Sequence, residues 1–485
     1  MTSYSDFVTY ASARNPSLSA LSSFLGNRGR DLYTSKIITT EVNTEGQAND
    51  YTTINRQNLV AHIRDFQHQA SQGRSGGLLI AVEDPGPTEL NDIGAILDID
   101  PFFLAGHLAV SYPAIEQCPS SPLHGLLPSR IASVEHINIH FQKVLDLGYE
   151  GDSESSPYKM EIRGNTSRHL RILPSLSGRK IGIARSCLSI LKKQIGDSAW
   201  ICIILTDPPI SQPSNGYPEP RQINVEEVVS LPTYSSFAGS TQRNFSLRSL
   251  SQAEDLLSIL REQRITLNSG NKIPSILDLA HYPIRIALIE WKLYVQLMSR
   301  YVKFFETLSA KLEQKDVTEL HRWRRRTSQS LHKIRMIKAF VDYWRGRNGG
   351  VAQKYDSWDL LVLDLTHIEM QIKQYANALE SLNTLVQLAN SHRSMSEASD
   401  VRRLTYIAVV FIPLSFVAAL FSMGDNFLPG RESFWLYWAT SIPITLVVLA
   451  VMSLHLLKAY FVCLFEKLHA WLLIWKRGKW MIGRE

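Results

Sequence analysis

Residues 404–424, LTYIAVVFIPLSFVAALFSMG, decide how this chain is read. They include no charged side chain, and a helix needs about 20 apolar residues to cross a hydrocarbon core. A soluble core helix of that length would keep a polar stripe on one side; this run has none. A second run, 433–457, is also uncharged with His455 neutral, and it opens on Phe434, Trp435, Tyr437 and Trp438. Amphipathic rings of that kind favour the headgroup level of a bilayer. The two runs predict transmembrane helices at 404–424 and 433–457, joined as an antiparallel hairpin by the loop 425–432. Pro413 lacks an amide hydrogen and crowds the carbonyl four residues earlier, so a kink is expected there.

Flanking charge sets the direction. Arg393, Arg402 and Arg403 precede the first run, and Lys458, Lys467, Lys476, Arg477 and Lys479 follow the second. The loop holds Arg431 against Asp425 and Glu432. Basic flanks stay on the cytoplasmic side, which predicts cytoplasmic termini, an external loop and a basic cytoplasmic tail at 458–485. The plasma membrane is the expected location. A Ser-rich N-terminus with Arg14, Arg28 and Arg30 makes the mitochondrial inner membrane the alternative.

Upstream, Leu361, Leu365, Ile368, Ile372, Tyr375, Leu379, Leu382, Val386 and Ala389 recur in steps of four and three. That is the seam of a helix packed along one side. No proline interrupts 351–412, so one helix from about Asp359 to Met423 is expected, a stalk at 359–403 running into the first span. At 1.5 Å per residue it would be about 95 Å long. The seam ends in NSHRSMSEASDVRR, 390–403, which reads either as a solvated face or as the wet mouth of a pore.

The stretch 246–348 predicts helical hairpins, with helices at 283–315 and 317–344. Arg322, Arg324, Arg325, Arg326, Lys333, Arg335 and Lys338 make a basic patch, read as a face paired with acids on its neighbours or as a contact for anionic headgroups. Residues 1–245 mix helical runs with aliphatic strands such as GGLLIAVEDP (76–85) and AWICIILTDPP (199–209), giving an α/β (α+β) cytoplasmic domain. The segment 88–108 reads as helix, turn, helix. The expected architecture is that domain, a long helical stalk and two C-terminal transmembrane helices.

Chemistry is sparse in this half. No phosphate-cradling, zinc-protease, nucleophile-elbow or dinucleotide motif occurs, so an enzyme is not expected, nor is a bound cofactor. His136 and His140 share a strand face in HINIH without a third ligand in sight, and ordinary surface histidines are expected. Asp98 and Asp100 are expected to cap the following helix rather than bind metal. Net charge is +6, from 51 Lys+Arg against 45 Asp+Glu, too mild to predict a nucleic-acid partner. The four cysteines form no paired motif, so reduced thiols are expected.

The stalk, LTYIAVVFIPLSFVAALFSM, the short loop, the aromatic-led second span and the basic tail resemble the CorA family of divalent-cation channels and transporters. DIDPFFLAGHL (98–108) is similar to a helix-turn segment in the cytoplasmic domain of divergent eukaryotic members. The resemblance implies a homopentamer in a lipid membrane, with the first span lining a pore for hydrated Mg2+ or related divalent cations. It implies Val401, Leu404, Ala408, Ile412 and Ser415 as pore-lining residues, with Leu404 and Ile412 as apolar constrictions that close by dewetting. At the outer mouth the family signature is Gly-Met-Asn, where this chain has Ser422-Met423-Gly424 followed by Asp425 and Asn426. A ring of Asp425 carboxylates would attract cations in place of the missing asparagine and is the expected metal contact. Two alternatives remain: a zinc or proton-coupled transporter of the same superfamily, and a non-conducting membrane scaffold or regulator.

Overall fold

The computed structural model of the protein describes residues 3–26, 33–108, 129, 134–149, 160–162, 164–166, 168–176, 178–209, 221–222, 252–262, 273–308, 314–347, 356–422 and 435–450. The chain divides into two units, Met1–Asn383 and Thr384–Glu485. The first opens with helices α1 (Tyr4–Arg14) and α2 (Ser19–Gly26), then β1 (Lys36–Val42), β2 (Thr52–Ile54), α3 (Arg56–Ser71), β3 (Gly76–Glu83), α4 (Pro87–Leu97) and α5 (Pro101–Leu108). Strands β4 (His136–Tyr149), β5 (Met160–Ile162), β6 (Arg168–Ile172), β7 (Arg179–Ile195), β8 (Ala199–Thr206) and β9 (Arg221–Gln222) follow. The helices α6 (Gln252–Glu262), α7 (Ile276–Leu308), α8 (Gln314–Arg347) and α9 (Asp356–Phe421) complete the series.

The strands form one mixed sheet in the order β2-β1-β3-β8-β7-β4-β9, and the β5–β6 hairpin pairs onto β7. β3 and β8 are parallel neighbours; the other described pairs are antiparallel. The two parallel strands, GGLLIAVE and AWICIILT, are buried at every position, as expected of strands covered on both faces. One face carries a core of Leu78, Ile80, Val82, Ile201, Ile203 and Leu205 packed against α1 to α5. On the sheet, Gly77 lies against the Trp200 ring, and a Cβ there would sit 2.2 Å from it. The expected strands were short, yet β7 has 17 residues and β4 has 14. Their aliphatic alternation continues past the end of β8, where β6 takes over as the partner of β7.

In the 88–108 segment, Asp98 ends α4 in the left-handed conformation, and the Phe102 amide donates to Asp100 Oδ1 at 3.0 Å. The helix expected to start at Pro283 starts instead at Ile276, with Pro283 inside it. Ser275 and Asp278 explain the difference. The Ser275 amide donates to the Asp278 carboxylate at 2.8 Å, and the Asp278 amide donates to Ser275 Oγ at 3.3 Å. This reciprocal capping fixes the start, so the helix absorbs the proline at the loss of one backbone bond.

The histidines of HINIH are not surface residues. His140 is buried 3.8 Å from Cys187 Sγ, and burial, with nearby Lys333 and Arg168, holds its imidazole well below the usual range. His136 lies edge-on to Phe103 at 5.4 Å, and burial lowers it to about 4. The α5 helix covers this strand face, which local spacing does not reveal.

The basic patch on α8 largely finds acids. Arg322 and Arg326 pair with the buried Glu319, Arg324 with Glu380, and Arg335 and Lys338 with Glu369. Glu369 and Glu380 sit on α9, alongside its seam. Leu361, Leu365, Ile368, Ile372, Leu379, Leu382 and Val386 of that seam are buried, while Tyr375 is half-buried and Ala389 exposed.

Candidate functional site

The stalk and the first predicted span form one uninterrupted helix, α9, through Pro413. After Val386 every side chain from 387 to 407 is exposed. Within 358–421 the helix is long and apolar enough to cross a membrane, and only 6% of its most apolar window is buried. That combination separates it from the core helix of a soluble protein, whose apolar window would be covered. A shorter apolar helix, α10 (Trp435–Ala450), follows; the rest of the expected second span, 451–457, lies outside the described residues.

The two helices of this second unit touch along one face. Phe421 meets the Tyr437 ring edge-on at 6.2 Å. Val417 and Ser441 are buried, at 2% and 0% exposure, and Pro413 is buried as well. Equal steps in opposite directions from the Phe421–Tyr437 contact bring Val417 level with Ser441 and Pro413 level with Thr445. Hydroxyls in the hairpin return to their own helices: Ser415 Oγ donates to the Ile412 carbonyl at 2.9 Å, and Thr445 Oγ1 to that of Ser441 at 2.7 Å. Such bonds keep a hydroxyl satisfied where water is absent.

Val401, Leu404 and Ile412 are 64%, 69% and 65% exposed; Ser415 is exposed and Ala408 half-buried. At about 100° per residue these five fall on one line of the helix, about 180° from the line through Pro413, Val417 and Phe421. The packed face and the five residues therefore sit on opposite sides of α9. The line continues to Ala419 and to Ser422, whose amide donates to the Ala418 carbonyl at 2.9 Å. Met423, Gly424, Asp425 and Asn426 lie outside the described residues. In the other direction the same spacing meets Glu397, Ser394 and Asn390, all exposed. Within the polar run 390–403, the spacing of three and four continued back from Val401 singles out Glu397.

The polar groups of the sheet unit concentrate elsewhere, beyond the carboxyl ends of β3 and β8. Asp207 accepts from Arg168 Nε at 2.8 Å, Ser186 Oγ at 2.8 Å and the Cys187 amide at 2.8 Å. Burial pushes the Asp207 carboxyl up, but Arg168, His107 and these hydrogen bonds outweigh it and hold it below its usual range. Asp84, at a φ of 53°, accepts from the Asn165 amide at 2.8 Å, and Asn165 Nδ2 returns a bond to the Asp84 carbonyl at 2.9 Å. Burial raises the Asp84 carboxyl to about 6. Burial likewise pushes the Cys187 thiol up to about 12 and the His107 imidazole down to about 3. At neutral pH the thiol stays protonated and the imidazole neutral, forms suited to packing rather than attack. Among the described residues no group of three His, Cys, Asp or Glu side chains could hold a metal ion.

The described residues thus combine a mixed α/β sheet unit, helices joined by ion pairs, and one long helix that is apolar enough to cross a membrane. Residues 293–458, which take in α7, α8, α9 and α10, match the family model described as CorA-like Mg2+ transporter protein. In that segment the chain is similar to the CorA-like family. It is also similar to a curated protein of Aspergillus versicolor, Notoamide biosynthesis cluster protein M', at 25% identity over 140 residues. That match takes in 24% of this chain and 30% of the relative's length. Among solved structures, full-length CmaX shares 12% identity at a TM-score of 0.34, covering 86% of this chain and 98% of that one. The CorA magnesium transporter of Methanocaldococcus jannaschii shares 10% identity at a TM-score of 0.38, covering 86% and 96%.

Proposed function

We propose that this protein is a homo-oligomeric membrane channel for divalent cations, Mg2+ first among them, with α9 lining the pore. The observation that carries the reading is the opposition of two faces on one helix. Pro413, Val417 and Phe421 face α10, whereas Val401, Leu404, Ile412 and Ser415 are exposed and Ala408 half-buried on the opposite side. Lipid would suit the apolar residues of that line equally, so the reading turns on the polar residues that continue it at both ends, Glu397 on one side and Ser415 and Ser422 on the other. Copies of α9 grouped around an axis, five in the CorA-like arrangement, would enclose it. Leu404 and Ile412 then form apolar constrictions that close by dewetting. Ser415 and Ser422 supply hydroxyls, and Met423, Gly424, Asp425 and Asn426 form the outer mouth. Hydrated Mg2+ gives up its water reluctantly, so a wide mouth with carboxylates suits it better than a dehydrating cage.

The termini face the cytoplasm in this reading, and the second span is completed by residues 451–457. The test is Mg2+ uptake into liposomes by the wild type, Asp425→Ala and Met423→Ala, together with oligomeric state in detergent. A clean monomer, or an oligomer that moves no divalent ion, would sink the reading. One specific observation favours a second reading, a non-conducting membrane regulator: Ser422-Met423-Gly424 stands where the family has Gly-Met-Asn. Uptake of Zn2+ but not Mg2+ would instead place the chain in the zinc or proton-coupled branch.

A further inference from the structure

The uncovered line on α9 changes character at one residue. From Asn390 through Ser394 to Glu397 it is polar; from Val401 to Ile412 it is apolar. Glu397 is the last polar group before the apolar stretch, one turn from Val401, and falls within about 20° of the mean direction of the five pore-line residues. Its carboxylate is engaged by Arg393, one turn earlier, with Nε 3.1 Å from Oε1. The other charges nearby are directed elsewhere. Arg403 pairs with Asp400 at 3.7 Å, and the Arg402 guanidinium lies over the Tyr406 ring, 5.8 Å from its centroid. By helical spacing both arginines project well away from the line. Glu397 is thus the acid on the line, and Arg393 is the cation placed to neutralise it.

We infer that Glu397 and Arg393 together set the cation supply to the inner mouth of the pore, Glu397 concentrating divalent ions and Arg393 restraining it. This inference rests on the channel reading above. In a closed ring of subunits the Glu397 carboxylates would face a shared vestibule immediately before the apolar constriction. Charges of one sign in such a confined space raise the local concentration of counter-ions about tenfold or more. An apolar constriction admits an ion only with its hydration shell and only when wetted, so the ion density at its threshold governs how often it is crossed. Arg393 is held to the same carboxylate through one exposed ion pair, the kind that competes poorly with a concentrated divalent cation. Hydrated divalent ions are the chemical class such a vestibule selects, since attraction grows with ionic charge.

The experiment is current measurement on the full-length protein in planar bilayers, with Mg2+ supplied first on the side bearing the sheet unit and then on the opposite side. Wild type, Glu397→Gln, Arg393→Gln and Glu397→Asp are compared at about 0.01 M and about 1 M monovalent salt, where the screening length is about 30 Å and about 3 Å. At low salt Glu397→Gln is expected to cut the current entering from the sheet side by about tenfold, with a smaller effect from the other side. Arg393→Gln is expected to raise it, and the variants should converge at high salt. Glu397→Asp, which keeps the charge, should keep the wild-type salt dependence. A wild type that conducts while both neutral variants retain its current and salt slope would overturn the inference and leave the channel standing. An equal loss from both sides at all salt concentrations would mark Glu397 as structural, and also overturns it. A wild type that assembles and conducts no divalent ion overturns the channel reading, and the inference with it.

Discussion

Replacing Glu319 by Ala should be among the most damaging single changes in the sheet unit. Its carboxylate is 3% exposed and meets three guanidinium groups: Arg326 at 3.0 Å, Arg322 at 3.1 Å and Arg171 of β6 at 3.1 Å. The three partners are not equal. The Arg322 and Arg171 side chains are 43% and 30% exposed, so water would replace most of what they lose, and each is worth about 0–1 kcal/mol. Arg326 is 9% exposed and stacked 4.8 Å over the Trp323 ring. Its charge would be left buried without a carboxylate, which typically costs about 3–5 kcal/mol. The expected loss is therefore about 3–5 kcal/mol, most of it from Arg326. That is a large share of the roughly 5–15 kcal/mol that holds a domain folded.

Chemical unfolding of the full-length protein in detergent, followed by tryptophan fluorescence, reads this directly because Trp323 lies beneath Arg326. Glu319→Ala should lower the midpoint sharply, and Arg322→Gln should barely move it. The double variant Glu319→Ala with Arg326→Met should recover much of the loss, since it removes the stranded charge. If Glu319→Ala costs less than about 1 kcal/mol, or if the double variant is no better than the single one, Arg326 is not held as a buried charge.

Three further outcomes are expected. Gly77→Ala places a Cβ 2.2 Å from the buried Trp200 ring and should cost about 1–3 kcal/mol through overpacking, read by thermal unfolding against Gly26→Ala, where no heavy atom lies within 4 Å. Burial raises the Asp84 carboxyl from 3.8 to about 6, with Asp207 adding to the rise and Arg168 opposing it. The folded state therefore binds this proton more tightly, and stability should increase as pH falls from about 7 to about 4, by up to about 3 kcal/mol. Asp84→Asn should flatten that slope, and an unchanged slope would assign it to other groups. Leu404→Asn should wet the first apolar constriction and raise resting Mg2+ flux in liposomes; a flux equal to wild type would remove Leu404 from the gate.

The long apolar helix and the stalk were legible because both are one-dimensional signals. An uncharged run needs no partner to be recognised, and the seam from Leu361 to Val386 announces itself through its own spacing. Elements set by contacts distant in sequence, or by a local cap that competes with a helix-breaking residue, were not. The start of α7 depended on Ser275 and Asp278, a local capping pair outweighed in the reading by the proline that follows. The burial of His140 depended on β7 and α5, which lie 47 and more than 30 residues away in the chain. The patch on α8 read equally as paired with acids or as a headgroup contact because two of its acids, Glu369 and Glu380, lie on a different helix, while Glu319 lies on α8 itself.

The same division explains why the pore face became arguable while its chemistry did not. A helix shows its period in the sequence but not which side its neighbour will take. Here α10 covers Pro413, Val417 and Phe421, and the line from Asn390 to Ser422 lies on the side of α9 opposite that contact. Along that line the polar residues stand at the two ends and the apolar ones between, an order that only emerges once the faces are separated. An ion moving along it would meet charge at Glu397, exclusion at Leu404 and Ile412, and hydroxyls at Ser415 and Ser422. Attraction, barrier and recapture in that sequence are what a closed conduit needs if it is to hold ions back at rest and still pass them when wetted. An apolar anchor would gain nothing from the acid at its threshold, so the response of divalent current to Glu397 distinguishes the two more sharply than the altered outer mouth does.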